Sequence, residues 1–146
     1  MQKPKFVDIY MKLAQHIADR SDCSNRSVGC VITSLDNERV LSIGYNGGAK
    51  KSSEKCISKP SIGFQIGTSR CKCVHAEMNA LNKLNYNDPI AKRLYVTLSP
   101  CQLCAKLIVN ANIEEVVYLD DYSDSSGIFI LEAADIKVVK YEDDRS

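Results

Sequence analysis

The chain has 146 residues, 45% of them hydrophobic and 25% charged, with a formal net charge of +1. Such proportions predict one ordinary globular domain over residues 1–146, since this length is thin for two cores. The near-neutral charge argues against a field that grips nucleic acid backbone, and no apolar run reaches membrane-spanning length.

Lys5 to Arg20 places Phe6, Ile9, Tyr10, Leu13, Ile17 and Ala18 at helical spacing, which predicts an amphipathic helix. Val28 to Thr33 reads as a strand, Asp36-Asn37 as a hairpin turn and Arg39 to Tyr45 as a second strand. Asn46-Gly47-Gly48 breaks the pattern. Ala49 to Arg70, rich in Lys and Ser, predicts a long surface loop. His75 to Asn85 reads as a helix, with Met78, Leu81 and Leu84 three apart. Arg93 to Leu98 is a predicted strand, Cys101 to Ala111 a helix and Glu114 to Leu119 a strand. Ser123 to Ala134 is a helix weakened by Gly127, Ile128 and Ile130, and Ile136 to Tyr141 closes as a strand. Alternating helix and strand in the second half imply parallel pairing, whereas the first two strands form a hairpin. The fold class is therefore α/β, a mixed five-stranded sheet covered on both faces in a three-layer sandwich.

The N-terminus leads into its helix without a signal-peptide apolar region, so a cytoplasmic chain is expected. Seven cysteines in a reducing compartment point to metal binding before disulfides. One stretch concentrates that chemistry: His75-Ala76-Glu77, followed by Pro100-Cys101-Gln102-Leu103-Cys104. One imidazole and two thiols suit Zn²⁺ and leave its fourth position open, as catalytic zinc requires. His75 and Cys101 stand where helix N-termini are expected, which should lower the pKa of both Cys101 and Cys104. Zinc brings the pKa of a bound water to about 7, and Glu77 is placed to carry that water's proton to a leaving nitrogen. The competing reading is a structural site, but such sites normally have four protein ligands. His-x-Glu with Pro-Cys-x-x-Cys is the signature of zinc nucleobase deaminases.

His75 to Ala80 and Thr97 to Lys106, with Val28 to Ile32, Gly44 to Gly47 and Tyr122 to Ser125, resemble the deoxycytidylate (dCMP) deaminases of the cytidine deaminase-like superfamily. The resemblance implies hydrolysis of dCMP to dUMP and ammonia, feeding dTMP synthesis, and often a hexamer. It implies that Asn46 meets the deoxyribose or base edge and that the backbone at Ala76 holds the pyrimidine carbonyl. Asn-Gly is also a common turn dipeptide. Asn25 and Arg26 fall where the family gathers the 5′-phosphate, with Ser99 and Tyr122 completing the substrate set; a solvated Arg26 is the plainer alternative. If the chain is viral, the host cytoplasm is the expected location.

Cys30 reads as a small buried hydrophobe. Cys23, Cys56, Cys71 and Cys73 together would make a second, structural zinc site, pinning the long loop. Some phage-type relatives hold a second zinc, with cysteines matching Cys23 and Cys56 and other ligand types at Cys71 and Cys73. Scattered free thiols are the alternative. The resemblance also implies dCTP activation and dTTP inhibition with Mg²⁺, through a site near Gly44, Tyr45 and Gly47. The chain departs from the family pattern after Gly47, where Gly48-Ala49-Lys50-Lys51 replaces the usual Pro and later Gly, and lacks a basic residue that the family often places before Tyr122. Those departures leave dCTP open as a substrate. Other readings are a nucleic-acid base deaminase, which a chain with no Trp and balanced charge disfavours, and an inactive zinc module, which has no need of Glu77.

Overall fold

A computed structural model describes residues 2–23, 25–48, 73–85 and 87–143. The predicted Lys/Ser loop, Cys56 and Cys71 lie outside the described residues. Nine elements follow in order: α1 (Phe6–Ala18), β1 (Gly29–Ser34), β2 (Val40–Tyr45), α2 (Ala76–Asn82), β3 (Lys92–Leu98), α3 (Gln102–Val109), β4 (Ile113–Asp120), α4 (Ser126–Ala133) and β5 (Lys137–Lys140). The five strands form one sheet in the order β2-β1-β3-β4-β5. β1 pairs antiparallel with β2 and β3, while β3, β4 and β5 run parallel. This is the expected mixed α/β sheet.

Strand alternation sorts the core into two layers. Val31, Tyr95 and Val117 face α1, where Met11 and Ala14 are fully buried. Cys30, Ile32, Leu94, Val96 and Val116 face the other way, packing with Ala76, Ala80, Ile108 and Leu131 of the remaining helices. Each fully buried Leu or Ile in these layers contributes roughly 1.5–3 kcal/mol. Because both faces are covered, β1 is buried along its whole length.

The inward faces of two helices differ from the sequence expectation. In α1 the buried set is Tyr10, Met11, Ala14, Ile17 and Ala18, whereas Phe6 and Ile9 are exposed. In α2 the deepest residues are Ala76, Glu77 and Ala80, and Met78, Leu81 and Leu84 are only half-buried. Close approach is the reason in both cases. A Cβ on Gly29 would collide with the Ala14 carbonyl, and one on Gly44 with the Ala76 carbonyl and the Ala80 nitrogen. At these two points the helices present alanines, Ala14 and Ala18 in α1 and Ala76 and Ala80 in α2. Gly29→Ala is expected to lower unfolding stability by about 1–3 kcal/mol through overpacking against helix backbone. An unchanged denaturant midpoint would mean that α1 does not sit where described.

Helix ends also shift. α2 stops at Asn82, where Lys83 and Leu84 close with i−3 bonds to Ala80 and Leu81. α4 begins at Ser126 because Asp124 accepts hydrogen bonds from the Ser126 N–H (2.9 Å) and hydroxyl (2.6 Å), holding the preceding residues in a turn.

Candidate active site

The site lies at the carboxyl ends of the parallel strands, where open α/β sheets bind ligands. β3 runs out at Leu98 and the chain passes through Ser99 and Pro100 directly into α3. Cys101 is the N-cap of α3, its sulfur accepting from the Cys104 N–H at 3.5 Å. His75 is the N-cap of α2, so two helix N-termini converge here, as expected. Gly47 and Val74 exchange backbone hydrogen bonds (3.1 and 2.7 Å), tying the end of the hairpin to the segment that enters α2.

His75, Cys101 and Cys104 bring their ligand atoms within 4.8 Å of one another. His75 Nδ1 lies 3.2 Å from Cys104 Sγ and 3.6 Å from Cys101 Sγ. Tetrahedral zinc with ordinary Zn–N and Zn–S bonds sets that separation at about 3.6 Å. The donor set fits Zn²⁺. Nε2 of His75 is buried without a hydrogen-bond partner among the described residues, leaving Nδ1 as the atom aimed at the sulfurs.

The two thiols differ in proton affinity, contrary to the expectation that both are lowered. The hydrogen bond from the Cys104 thiol, helped by His75, pulls Cys101 down to about 4 against its burial. The same bond and deep burial push Cys104 up. A bound cation would favour the thiolate form of both sulfurs. Glu77, on the first turn of α2, is 4% exposed, and burial pushes its carboxyl up to about 7 against the pull of its own backbone N–H and His75. Burial likewise raises Cys30 well above the usual thiol range, consistent with an inert core residue.

The surrounding pocket includes Asn25, Arg26, Asn46, Ala76, Ser99 and Tyr122 among its lining residues, so the whole predicted substrate set meets at one place. Several of these side chains already have protein partners. Asn46 accepts from the Val28 N–H at 2.8 Å and donates to the Arg26 carbonyl. Both ends of its amide therefore brace the segment carrying Arg26. Ser99 Oγ accepts from the Tyr122 N–H at 2.7 Å, fastening the β4–α4 corner to the metal-ligand loop.

Two contributors were not picked out in the sequence. In the sequence Gly127 is only a weak point in its helix. A Cβ there would collide with the Pro100 carbonyl and meet the Cys101 backbone, so glycine lets α4 close on the ligand loop. The second is Asp120, whose Oδ2 accepts from Arg26 Nη2 at 2.8 Å across 94 positions of sequence, a pairing with no local signal.

Cys23 and Cys73 both line the pocket, whereas their predicted partners Cys56 and Cys71 are outside the described residues. Tyr45 and Gly47 line a separate cavity with Arg20, Asp22 and Lys83. Gly44 is packed beneath α2 and does not line it. Among the described residues, no helix is long and apolar enough to cross a membrane.

The fold and its donor set define a class, the hydrolytic deaminases of zinc-binding type. A family model for the cytidine and deoxycytidylate deaminase zinc-binding region matches residues 5–120, and the chain belongs to that family. It is 36% identical over 127 residues to the deoxycytidylate deaminase of Mycobacterium phage D29, covering 81% of this chain and 97% of that one. It is also 36% identical over 151 residues to the deoxycytidylate deaminase of Schizosaccharomyces pombe, covering 95% of this chain but only 45% of the yeast protein. Among solved structures, the dCMP deaminase of cyanophage S-TIM5, in complex with dCMP and dUMP, superposes with a TM-score of 0.80 at 29% identity. That match covers 97% of this chain and all of the phage chain (100%).

Proposed function

We propose that the chain hydrolyses dCMP to dUMP and ammonia in the cytoplasm, supplying the precursor of dTMP. The convergence of His75 Nδ1 and the two cysteine sulfurs beside buried Glu77 carries this reading. The named activity of the phage relatives supports the substrate.

His75, Cys101 and Cys104 would hold zinc. When bound, zinc supplies a water acidic enough to lose a proton near neutral pH. Glu77 would take that proton on its carboxylate and deliver it to the amine nitrogen as the carbon–nitrogen bond breaks. The oxygen stays on the ring and ammonia leaves. The Ala76 N–H, in the first turn of α2, would hold the pyrimidine carbonyl. Asn46 would act at least in part through its brace on residues 26–28, and Arg26 would receive the 5′-phosphate with Asn25 and Tyr122 beside it.

Three finer features of the reading remain proposals. A second zinc on Cys23, Cys56, Cys71 and Cys73 would order the loop between them. A Mg²⁺-bound dCTP or dTTP effector would use the cavity lined by Arg20, Tyr45 and Lys83, in a hexameric assembly. The third is dCTP as an additional substrate. Ammonia release from deoxycytidine, dCMP and dCTP, measured side by side, tests the central reading. The expected result is a kcat/KM for dCMP at least about tenfold above that for deoxycytidine, the difference one charge-assisted contact supplies. Equal turnover of deoxycytidine would make the chain a nucleoside deaminase instead.

A further inference from the structure

We infer that Asp120 is a specificity-determining residue, the internal anion that occupies Arg26 until the substrate's 5′-phosphate displaces it. This rests on the reading of Arg26 as the phosphate ligand.

Asp120 closes β4 beside the pocket. Its backbone is fixed by the register pair with Leu98 and by the Ser99 N–H, which donates to its carbonyl at 2.9 Å. Its carboxylate reaches Arg26 at the pocket wall with one contact of 2.8 Å, from Oδ2 to Nη2. The side chains are 45% and 55% exposed. Water competes at that exposure, and such a pair contributes little.

Arg93 shows what a structural arginine looks like in this fold. Its Nε and Nη2 both bond Glu115, its Nη1 bonds the Leu35 carbonyl, and the ion pair is 18% and 14% exposed. Arg26, by contrast, lines the pocket, is 45% exposed and engages Asp120 through Nη2 alone in the described contacts. A phosphate oxygen pair can take a guanidinium fork bidentately, and charge-assisted bonds of that kind are the stronger ones. The exchange therefore favours phosphate over Asp120.

The neighbouring carboxylate does not share this position. Asp121 is paired with Lys140 at 2.6 Å, leaving Asp120 as the acid on Arg26. A phosphorylated substrate must both break the Arg26–Asp120 contact and sit near the released carboxylate. A nucleoside without phosphate does neither. Asp120 thus weakens binding selectively for the phosphorylated ligand, and does so more for each phosphate added.

Asp120→Asn keeps the size and removes the charge. The expected result is a KM for dCMP lowered about two- to fivefold with kcat unchanged, the range set by the loss of one exposed ion pair. KM for deoxycytidine should not move, and the gain for dCMP should shrink at high salt. Arg26→Gln, run in parallel, should raise KM for dCMP, and adding Asp120→Asn to it should bring no gain. A raised KM in Asp120→Asn would overturn the inference, because Asp120 would then be orienting Arg26 rather than competing for it. An equal change with deoxycytidine would also overturn it. If Arg26→Gln raises KM while Asp120→Asn leaves it unmoved, the inference fails and the phosphate reading stands. If Arg26→Gln changes nothing, the phosphate reading fails and the inference falls with it.

Discussion

Glu77→Gln is expected to lower kcat for dCMP by about 10²- to 10⁴-fold, the range supplied by a positioned general acid–base. Glutamine has the size and much of the hydrogen-bonding capacity of the original but cannot carry a proton between water and the leaving amine. The side chain is 4% exposed, so bulk water has little access to take over the transfer. Zinc content and unfolding temperature should stay close to wild type, because Glu77 is outside the ligand set. Steady-state ammonia release together with metal analysis reads both quantities. A variant that retains its zinc and full turnover would leave the buried carboxylate without a catalytic purpose.

Replacing Cys101 should remove both metal and turnover, and the choice of replacement separates two roles of the same sulfur. Cys101 is a ligand candidate and also the N-cap acceptor of α3. Serine is a strong N-cap but a poor zinc ligand, while alanine is neither. Cys101→Ser is expected to lose about one equivalent of zinc per chain, whatever a second site holds, with activity falling at least about 10²-fold. Its metal-free stability should match that of the chelator-treated wild type. Cys101→Ala should lose the same zinc and a further ~0.5–2 kcal/mol from the missing cap. Full zinc occupancy in the serine variant would show that the metal is held elsewhere.

Much of the catalytic chemistry was legible because its ligands occur as two short clusters. His75 with Glu77, and Cys101 with Cys104, lie close in sequence at helix starts, so local geometry alone presents each pair in a fixed way. Strand and helix identities were legible for a similar reason. Alternation and helical spacing are local patterns, and the hairpin and the parallel half followed from chain order.

Errors arose where a neighbour decided the outcome. Pattern alone favoured Phe6 and Ile9 as inward residues, but Gly29 of β1 lets α1 close on the sheet at Ala14 and Ala18. Asn46 lines the pocket as its reading as a substrate contact requires, and its amide also braces residues 26–28, a partnership with no local signal. Gly127 weakens its helix by local propensity, but Pro100 and Cys101 pack where its side chain would be.

By itself, the order of residues determined the local chemistry: the kinds of donor atoms, the placement of His75 and Cys101 at helix starts and the carboxylate beside them. Tertiary structure alone decided which of those groups meet. The Nδ1–sulfur separations of 3.2 and 3.6 Å, the burial that raises Glu77 and the Arg26–Asp120 pair all join segments far apart in the chain. Such encounters depend on how sheet and helices close around one another, and no local propensity encodes that closure.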